Sequence, residues 1–411
     1  MVAWIDPGPL KLVFSFFFVV SSIGFARDML NIVLPTKIKT MVTIRGFRFS
    51  IREFAGSLGD FGTLLPFTVG YIVICGFNPT GLLLGIGLTN IILAFIYRLP
   101  LPVQPQKAIG SVALAERWTR NTVLGAGFSV GLVWVFLSFS ERLTDLLEKV
   151  PKGVTRGIQL GLAFTLALAG AEMIQPDFLI AIPLMIVAFL LLRNKFLPSA
   201  IFLIVFGFIY ALFTGDLRMS QVTVGFSLPE ITLFSVNDMF YGFIYAGFAQ
   251  LFLTLTNAVV ATVALVHDLF PERTDVTPRV LIRNMGVMDV TTPFIGGMPL
   301  CHGAGGLSAQ YLFGARTAGA ILMEGVLEIS LGLFFSQSLV NIFSAFPMFV
   351  VGVMLLMTSF ELGKISLKIQ GKNEIYVTVV TALLATVFNM AAGFAGGIIL
   401  YAALKKKVIK L

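Results

Sequence analysis

The amino-acid sequence predicts an all-α polytopic membrane protein, built as a seven-plus-seven inverted repeat of fourteen spans around two broken half-helices. Three observations carry this. Of the 411 residues, 57% are hydrophobic and 12% charged, and the mean hydropathy is +0.93; a soluble domain carries about 25% charged residues. Landmarks recur at a nearly constant offset. Phe54 and Phe248 open comparable stretches 194 residues apart, Pro102 and Pro299 interrupt apolar sequence 197 apart, and Pro151 and Pro347 open later spans 196 apart. A constant offset marks an internal repeat, and an odd number of spans in each repeat makes the second enter from the opposite face. The basic residues then sort by side. With the patch before Arg52 in the cytoplasm, twenty-three basic residues fall on that face and three, Arg117, Arg120 and Arg218, on the other, as the positive-inside rule requires.

Taken in order, residues 1–49 form an appendage. Its apolar run from Leu10 to Phe25 is about 16 residues, short for a span needing roughly 20. Pro7 and Pro9 precede the run, and the basic residues Lys37, Lys39, Arg45, Arg48 and Arg52 follow it. The first repeat occupies 50–215, with spans expected at 52–75, 79–97, a half-span at 105–116, then 121–139, 154–173, 178–192 and 198–214. A polar, strand-like connection covers 216–236. The second repeat occupies 237–405, with spans at 238–266, 278–294, a half-span at 302–312, then 316–336, 345–361, 374–388 and 391–404. A basic tail, 406–411, closes the chain. Both ends of the core are expected in the cytoplasm, with no soluble C-terminal domain.

Composition excludes several functions. The net charge of +8 sits between apolar spans, where topology needs it, so nucleic acid is not the partner. With only His267 and His302 there is no multi-histidine metal site, and His302 beside Cys301 offers too few ligands. Cys75 and Cys301 make no disulfide framework. Neither a nucleophile–base pair nor a nucleotide-binding loop points to an enzyme: CHGAGG lacks the lysine and spacing of a phosphate loop. No cofactor is expected.

Two stretches organise the rest: PLPVQPQKAIGSVAL at 100–114 and MPLCHGAGGLSAQYL at 298–312. Each breaks very apolar sequence with Pro, Gly and polar side chains. Irregular backbone at membrane depth survives only where it lines a cavity or is buried in protein. Paired interruptions in two halves point to a transporter's substrate site. Lys107 is the one basic residue inside a broken region, with Gln104 and Gln106 beside it. Opposite lie Cys301, His302, Gly303, Gly305 and Gly306, where the glycines allow close backbone approach. Two half-helix N-termini facing each other, plus Lys107, would make an anion pocket. Alternatively, Lys107 snorkels to the interface and the glycines serve helix packing.

Asp60, Glu172, Asp289, Glu324, Glu328 and Glu361 are the acidic residues in spans. Asp60, between Gly59 and Gly62, is the candidate proton carrier, or else it pairs with Lys107 or caps a helix. Glu324 and Glu328, four apart, also suit a scaffold stripe. His302 reads as a substrate donor or a pH-sensitive group, and His267 with Asp268 as a cap or gate at a span end. Thr254, Thr256 and Asn257 either line the site or bond across helices.

At these positions the chain resembles a known family. FAGSLGDFGTLLP, PLPVQPQKAIGSVA, QLFLTLTNAVVA with HDLFP, and above all GGMPLCHGAGGLSAQYLFGARTAGA look like the signature stretches of the molybdate transporters, distant relatives of the sulfate permeases. The likeness runs from about Phe54 to Gly319. It implies the seven-plus-seven fold of sulfate and nucleobase permeases, with a core of the first four spans of each repeat and a gate of the last three. Substrate would bind between the stretches around Gln104–Lys107 and Cys301–Gly306; Gln250 and Asn257 also match family positions. The implied activity is secondary active molybdate uptake by alternating access in a plasma (inner) membrane. The implied partners are molybdate, or sulfate or tungstate, membrane lipid, protons for coupling and, in a homodimer, a second copy. A general oxyanion permease or a passive anion channel on the same fold are the alternatives. Lys107 disfavours a neutral nucleobase.

Overall fold

Helix starts are written locally in this sequence. Asn78, Thr119 and Thr277 each cap the residues that follow, accepting from Thr80 N, Thr122 N and Val280 N. Pro79 and Pro278 stand at the first helical position, where a missing N–H costs nothing. Ser235 and Asp238 close a reciprocal capping box. The computed structural model describes residues 42–44, 46–139, 150–191, 199–218, 223–366, 369 and 371–405. The run Leu10–Phe25, Lys37, Lys39, Arg45 and the tail 406–411 lie outside these residues.

Every expected span appears as helix. The first is broken: Ile51–Ser57, a 3-10 turn at Leu58–Asp60, then Phe61–Val73. The second is Pro79–Tyr97, the third the half-helix Lys107–Ala115, the fourth Arg120–Ser138, the fifth Lys152–Ile174, the sixth Phe178–Leu191 and the seventh Ser199–Thr214. The eighth runs over Val236–Leu269 with π-helical turns at Phe243–Gly247 and Thr254–Val260. The ninth is Pro278–Thr291, the tenth the half-helix Ala304–Phe313, and the eleventh Gly319–Phe334. The last three are Met348–Ser366, Lys372–Val387 and Met390–Lys405. Among the described residues only four helical stretches are long and apolar enough to cross a membrane unaided: Pro79–Tyr97, Arg120–Ser138, Lys152–Leu191 and Val236–Leu269. The others are halved, broken or short, and rely on neighbours for their backbone groups.

Three features differ from the expectation. A short helix, Ser336–Ser344, turns 83° away from the eleventh span and packs Leu339, Ile342 and Phe343 on the core. Just before the first span, β1 (Val42–Ile44) pairs antiparallel with β2 (Phe47–Phe49), which carries Arg48. The connection 216–236 contains no ladder strand among its described residues. Instead Ser227 N and Gly225 N donate to Leu333 O and Phe334 O at 2.8 and 2.9 Å, satisfying carbonyls that a helix C-terminus leaves open.

The repeat is visible in packing. The second span packs on the eleventh and, equivalently, the ninth on the fourth; the fifth crosses the twelfth. Glycines make these crossings close. A Cβ at Gly87 would lie 2.7 Å from Gly325 O, and one at Gly170 would lie 2.7 Å from Gly352 O. The pseudo-twofold axis can be located. β3 (Val103–Pro105) pairs antiparallel with β4 (Leu300–His302), with Gln104 opposite Cys301. These two are 197 residues apart, the same offset as Pro102 and Pro299, so each faces its own repeat mate. Farther along the axis Ser359 Oγ donates to Ala163 O at 2.7 Å, a separation of 196.

Contacts also group the span ends. Glu374 accepts from Gly153 N, Ser138 O from Arg279, and Glu53 from Arg316 N and Thr317 N; all these residues share the face of the basic patch. Arg120 pairs with Glu230 on the opposite face at 3.6 Å. Apolar side chains cover the outside. In the sixth span Leu179 is 75% and Leu190 78% exposed, a surface that needs lipid. The protein is an integral membrane protein.

Candidate functional site

Both half-helices begin at the β3–β4 pair and run away from it in opposite directions. Lys107–Ala115 starts after Gln106, and Ala304–Phe313 after Gly303. Neither preceding residue caps its helix with a side chain, so first-turn N–H groups are left to other partners. One is taken: Ala108 N donates to Gln250 Oε1 at 2.7 Å, and Gln250 Nε2 donates to Thr254 Oγ1 at 2.8 Å. Gln250 therefore reaches from the eighth span to the mouth of the third. The π-helical turn at Thr254–Val260 follows at once, a helix defect frequent at functional sites.

Lys107 is the first residue of its half-helix and half-buried. Among the described residues it makes no ion pair. Across the strand pair, Gly303 is held against the Gln104 side chain. A Cβ there would meet Gln104 Oε1, so a larger residue would have to displace that amide. Gly306 is buried, whereas Gly305 is exposed with open space beside its Cα. Cys301 is buried, its Sγ 3.8 Å from Pro105 O.

Two of the expected site residues are committed elsewhere. The Gln106 amide donates to Asp289 Oδ2 at 2.5 Å and to Leu300 O at 2.9 Å. His302 is completely buried and shares a 2.9 Å hydrogen bond with the Tyr97 hydroxyl, which accepts from Asn284 Nδ2 at 2.8 Å. Both residues stand behind the site rather than at its surface. Asn257 lies in the π-helical turn and Asp60 in the 3-10 turn of the first span; their side chains are outside the described residues.

Glu324 and Glu328 prove to be braces. Gln310 Nε2 of the tenth half-helix donates to Glu324, and Asn90 Nδ2 donates to Glu328 at 3.0 Å while its Oδ1 accepts from Val103 N at 3.1 Å. Sequence reasoning missed the roles of Asn90, Tyr97, Asn284 and Gln310. Their partners are distant in sequence, so no local pattern marks them. Asp289 was noticeable only as a carboxylate within an apolar span.

The arrangement suits an anion. Each half-helix N-terminus carries the equivalent of about +0.5 charge, Lys107 adds a full charge, and free N–H groups point toward the gap between the helices.

Comparison with known proteins agrees. A family model described as "Molybdate transporter of MFS superfamily" matches residues 52–166 and 242–362. Molybdate transporter 1 of Arabidopsis thaliana is 29% identical over 90% of this chain and 90% of its own length. Molybdate transporter 2 of that plant is 27% identical over 87% and 88%. Molybdate transporter 1 of Chlamydomonas reinhardtii is 25% identical over 85% and 91%. The transmembrane domain of a cyanobacterium bicarbonate transporter, BicA, superposes with a TM-score of 0.63 at 14% identity, covering 86% of this chain and 98% of that one. Murine Slc26a9, an anion transporter in the inward-facing state, superposes with 0.64 at 12% identity, covering 100% and 73%. These likenesses show a seven-plus-seven fold, not the paired six-span halves that an MFS label implies. The chain belongs to the molybdate transporter family, on the fold of the bicarbonate and SLC26 transporters.

Proposed function

We propose that this protein is a secondary active transporter that takes up a tetrahedral oxyanion, molybdate first, by alternating access. The single observation that carries this is the pairing of two half-helix N-termini across a short sheet, with Lys107 at the mouth of one of them. A dianion there meets two positive dipole ends and an ammonium group. The family supplies the substrate: the curated relatives are molybdate transporters. That a bicarbonate transporter and an SLC26 anion transporter share this fold supports an anion as cargo.

In this reading Gln104, Lys107, Gln250, Asn257 and the Gly303–Gly306 backbone contact substrate, with Cys301 lining the gap. The membrane is the plasma (inner) membrane, with the basic face cytoplasmic. Uptake against a negative interior requires coupling, and protons are the coupling ion. Asp60 is the sequence candidate for the carrier. Its turn lies against the tenth half-helix, where a Cβ at Gly59 would be 2.9 Å from the Ala309 carbonyl.

Uptake of labelled molybdate into proteoliposomes, with sulfate as competitor at two external pH values, tests the reading. Saturable uptake that resists excess sulfate and rises with an inward proton gradient is expected. Equal block by sulfate would make the protein a general oxyanion permease. Non-saturating flux would make it a channel, and no flux of any tetrahedral oxyanion would defeat the proposal.

A further inference from the structure

Asp289 of the ninth span is completely buried and has a partner on each carboxylate oxygen. Oδ1 accepts from Leu300 N at 2.8 Å, and Oδ2 from Gln106 Nε2. Gln106 is the residue before the third half-helix, and Leu300 begins the strand that leads into the tenth. One carboxylate thus joins the starts of both half-helices. The Gln106 amide cannot turn over, because its oxygen would then meet two acceptors, the Asp289 carboxylate and Leu300 O. In the orientation it holds, Gln106 Oε1 is buried with no hydrogen-bond partner among the described residues, a cost borne to keep both N–H groups on the brace.

The other repeat holds a counterpart. Val103 and Leu300 are 197 residues apart and so are repeat mates. Val103 N donates to Asn90 Oδ1 in the second span, as Leu300 N does to Asp289 in the ninth. Asn90 then reaches Glu328 in the second repeat, and Asp289 is reached by Gln106 from the first. Each strand is pinned by a side chain of the span before it, and each pin is tied across to the other repeat.

Resting on the reading of this gap as an oxyanion site, we propose that Asp289, with Asn90 as its counterpart, is a specificity-determining positioning residue. The two pins set the separation of the half-helix N-termini, and that separation selects between tetrahedral oxyanions of different radius. Neither side chain touches substrate. The N–H groups that do are carried on the elements these pins hold. Displacing one half-helix changes the fit of a larger and a smaller dianion by different amounts.

The test measures KM for labelled molybdate and Ki for sulfate in proteoliposomes, for the full chain and for Asp289→Asn and Asn90→Ala, scaled to inserted protein. Asp289→Asn keeps an acceptor for Leu300 N but sets an amide N–H against Gln106, so the Asp289–Gln106 tie is lost while the Gln106 bond to Leu300 O can remain. We expect a molybdate KM raised about tenfold, the weight of one buried hydrogen bond, and a sulfate-to-molybdate ratio shifted severalfold, in the same direction for both variants. A merely structural role lowers the inserted amount and leaves both constants alone. Should Asp289→Asn fail to insert, Asn90→Ala decides. An unchanged ratio in inserted variants of an active wild type overturns the pins alone, whereas a wild type that carries no oxyanion overturns the transport reading on which they rest.

Discussion

Lys107 and Gly303 divide the work at the residue scale. In the proposed site Lys107 supplies the formal charge of the gap, and Gly303 lets β4 lie against Gln104. Lys107→Ala should abolish molybdate uptake while inserted protein stays at the wild-type level, since the side chain makes no ion pair among the described residues; retained wild-type affinity would contradict the anion site. Gly303→Ala should lose uptake through displacement, because the new methyl collides with the Gln104 amide. Overpacking of this kind costs about 1–3 kcal/mol, read as a lower melting temperature in detergent. A thiol gives a third test. Cys75 is buried, so a membrane-permeant maleimide should leave it unlabelled until denaturant opens the fold. Lys107 was legible in the sequence because a cation in a broken apolar stretch is expensive and conspicuous. The occupation of His302 by Tyr97 was not, since the pair is 205 residues apart.

At the scale of elements, the site is held by its neighbours rather than by its own hydrogen bonds. Three-residue strands are marginal alone. β3 and β4 persist because Asn90, Asp289 and Gln106 satisfy the backbone and side-chain groups around them. The eleventh span adds a second support, with Glu324 on Gln310 and Glu328 on Asn90. Glu324→Leu should strand the buried Gln310 amide at a cost of about 1–3 kcal/mol and lower the detergent melting temperature. Glu324→Gln should retain most of the stability by keeping an acceptor. The four-residue spacing of Glu324 and Glu328 places them on one helical face from sequence alone. Which face, and against what, required the fold.

Over the whole molecule, the inverted repeat explains why the site lies at the centre. The strands that lead into the two half-helices meet on the pseudo-twofold axis at Gln104 and Cys301, and the fifth and twelfth spans meet on it again at Ala163 and Ser359. In the proposed mechanism a site on such an axis is opened to either face in turn by movement of core against gate. Saturable uptake into proteoliposomes, lost on collapse of the inward proton gradient, is the outcome expected at this scale. Flux that grows linearly with concentration would instead mean a continuous path.

The sequence by itself determined the class, the span order, the repeat and the two broken stretches. Each of these depends on hydropathy, proline and glycine positions and the sorting of basic residues, all properties of short windows or of a fixed offset. Tertiary structure alone decided how the polar residues divide. Gln106 and His302 turn into the scaffold, Gln250 caps a half-helix from another span, and Asp289 joins the two repeats. The reason is physical. Inside a membrane protein an unpartnered buried polar group is costly, so nearly all find partners. The partners of these four come from segments brought together by packing, at separations between 11 and 205 residues, which no local pattern encodes.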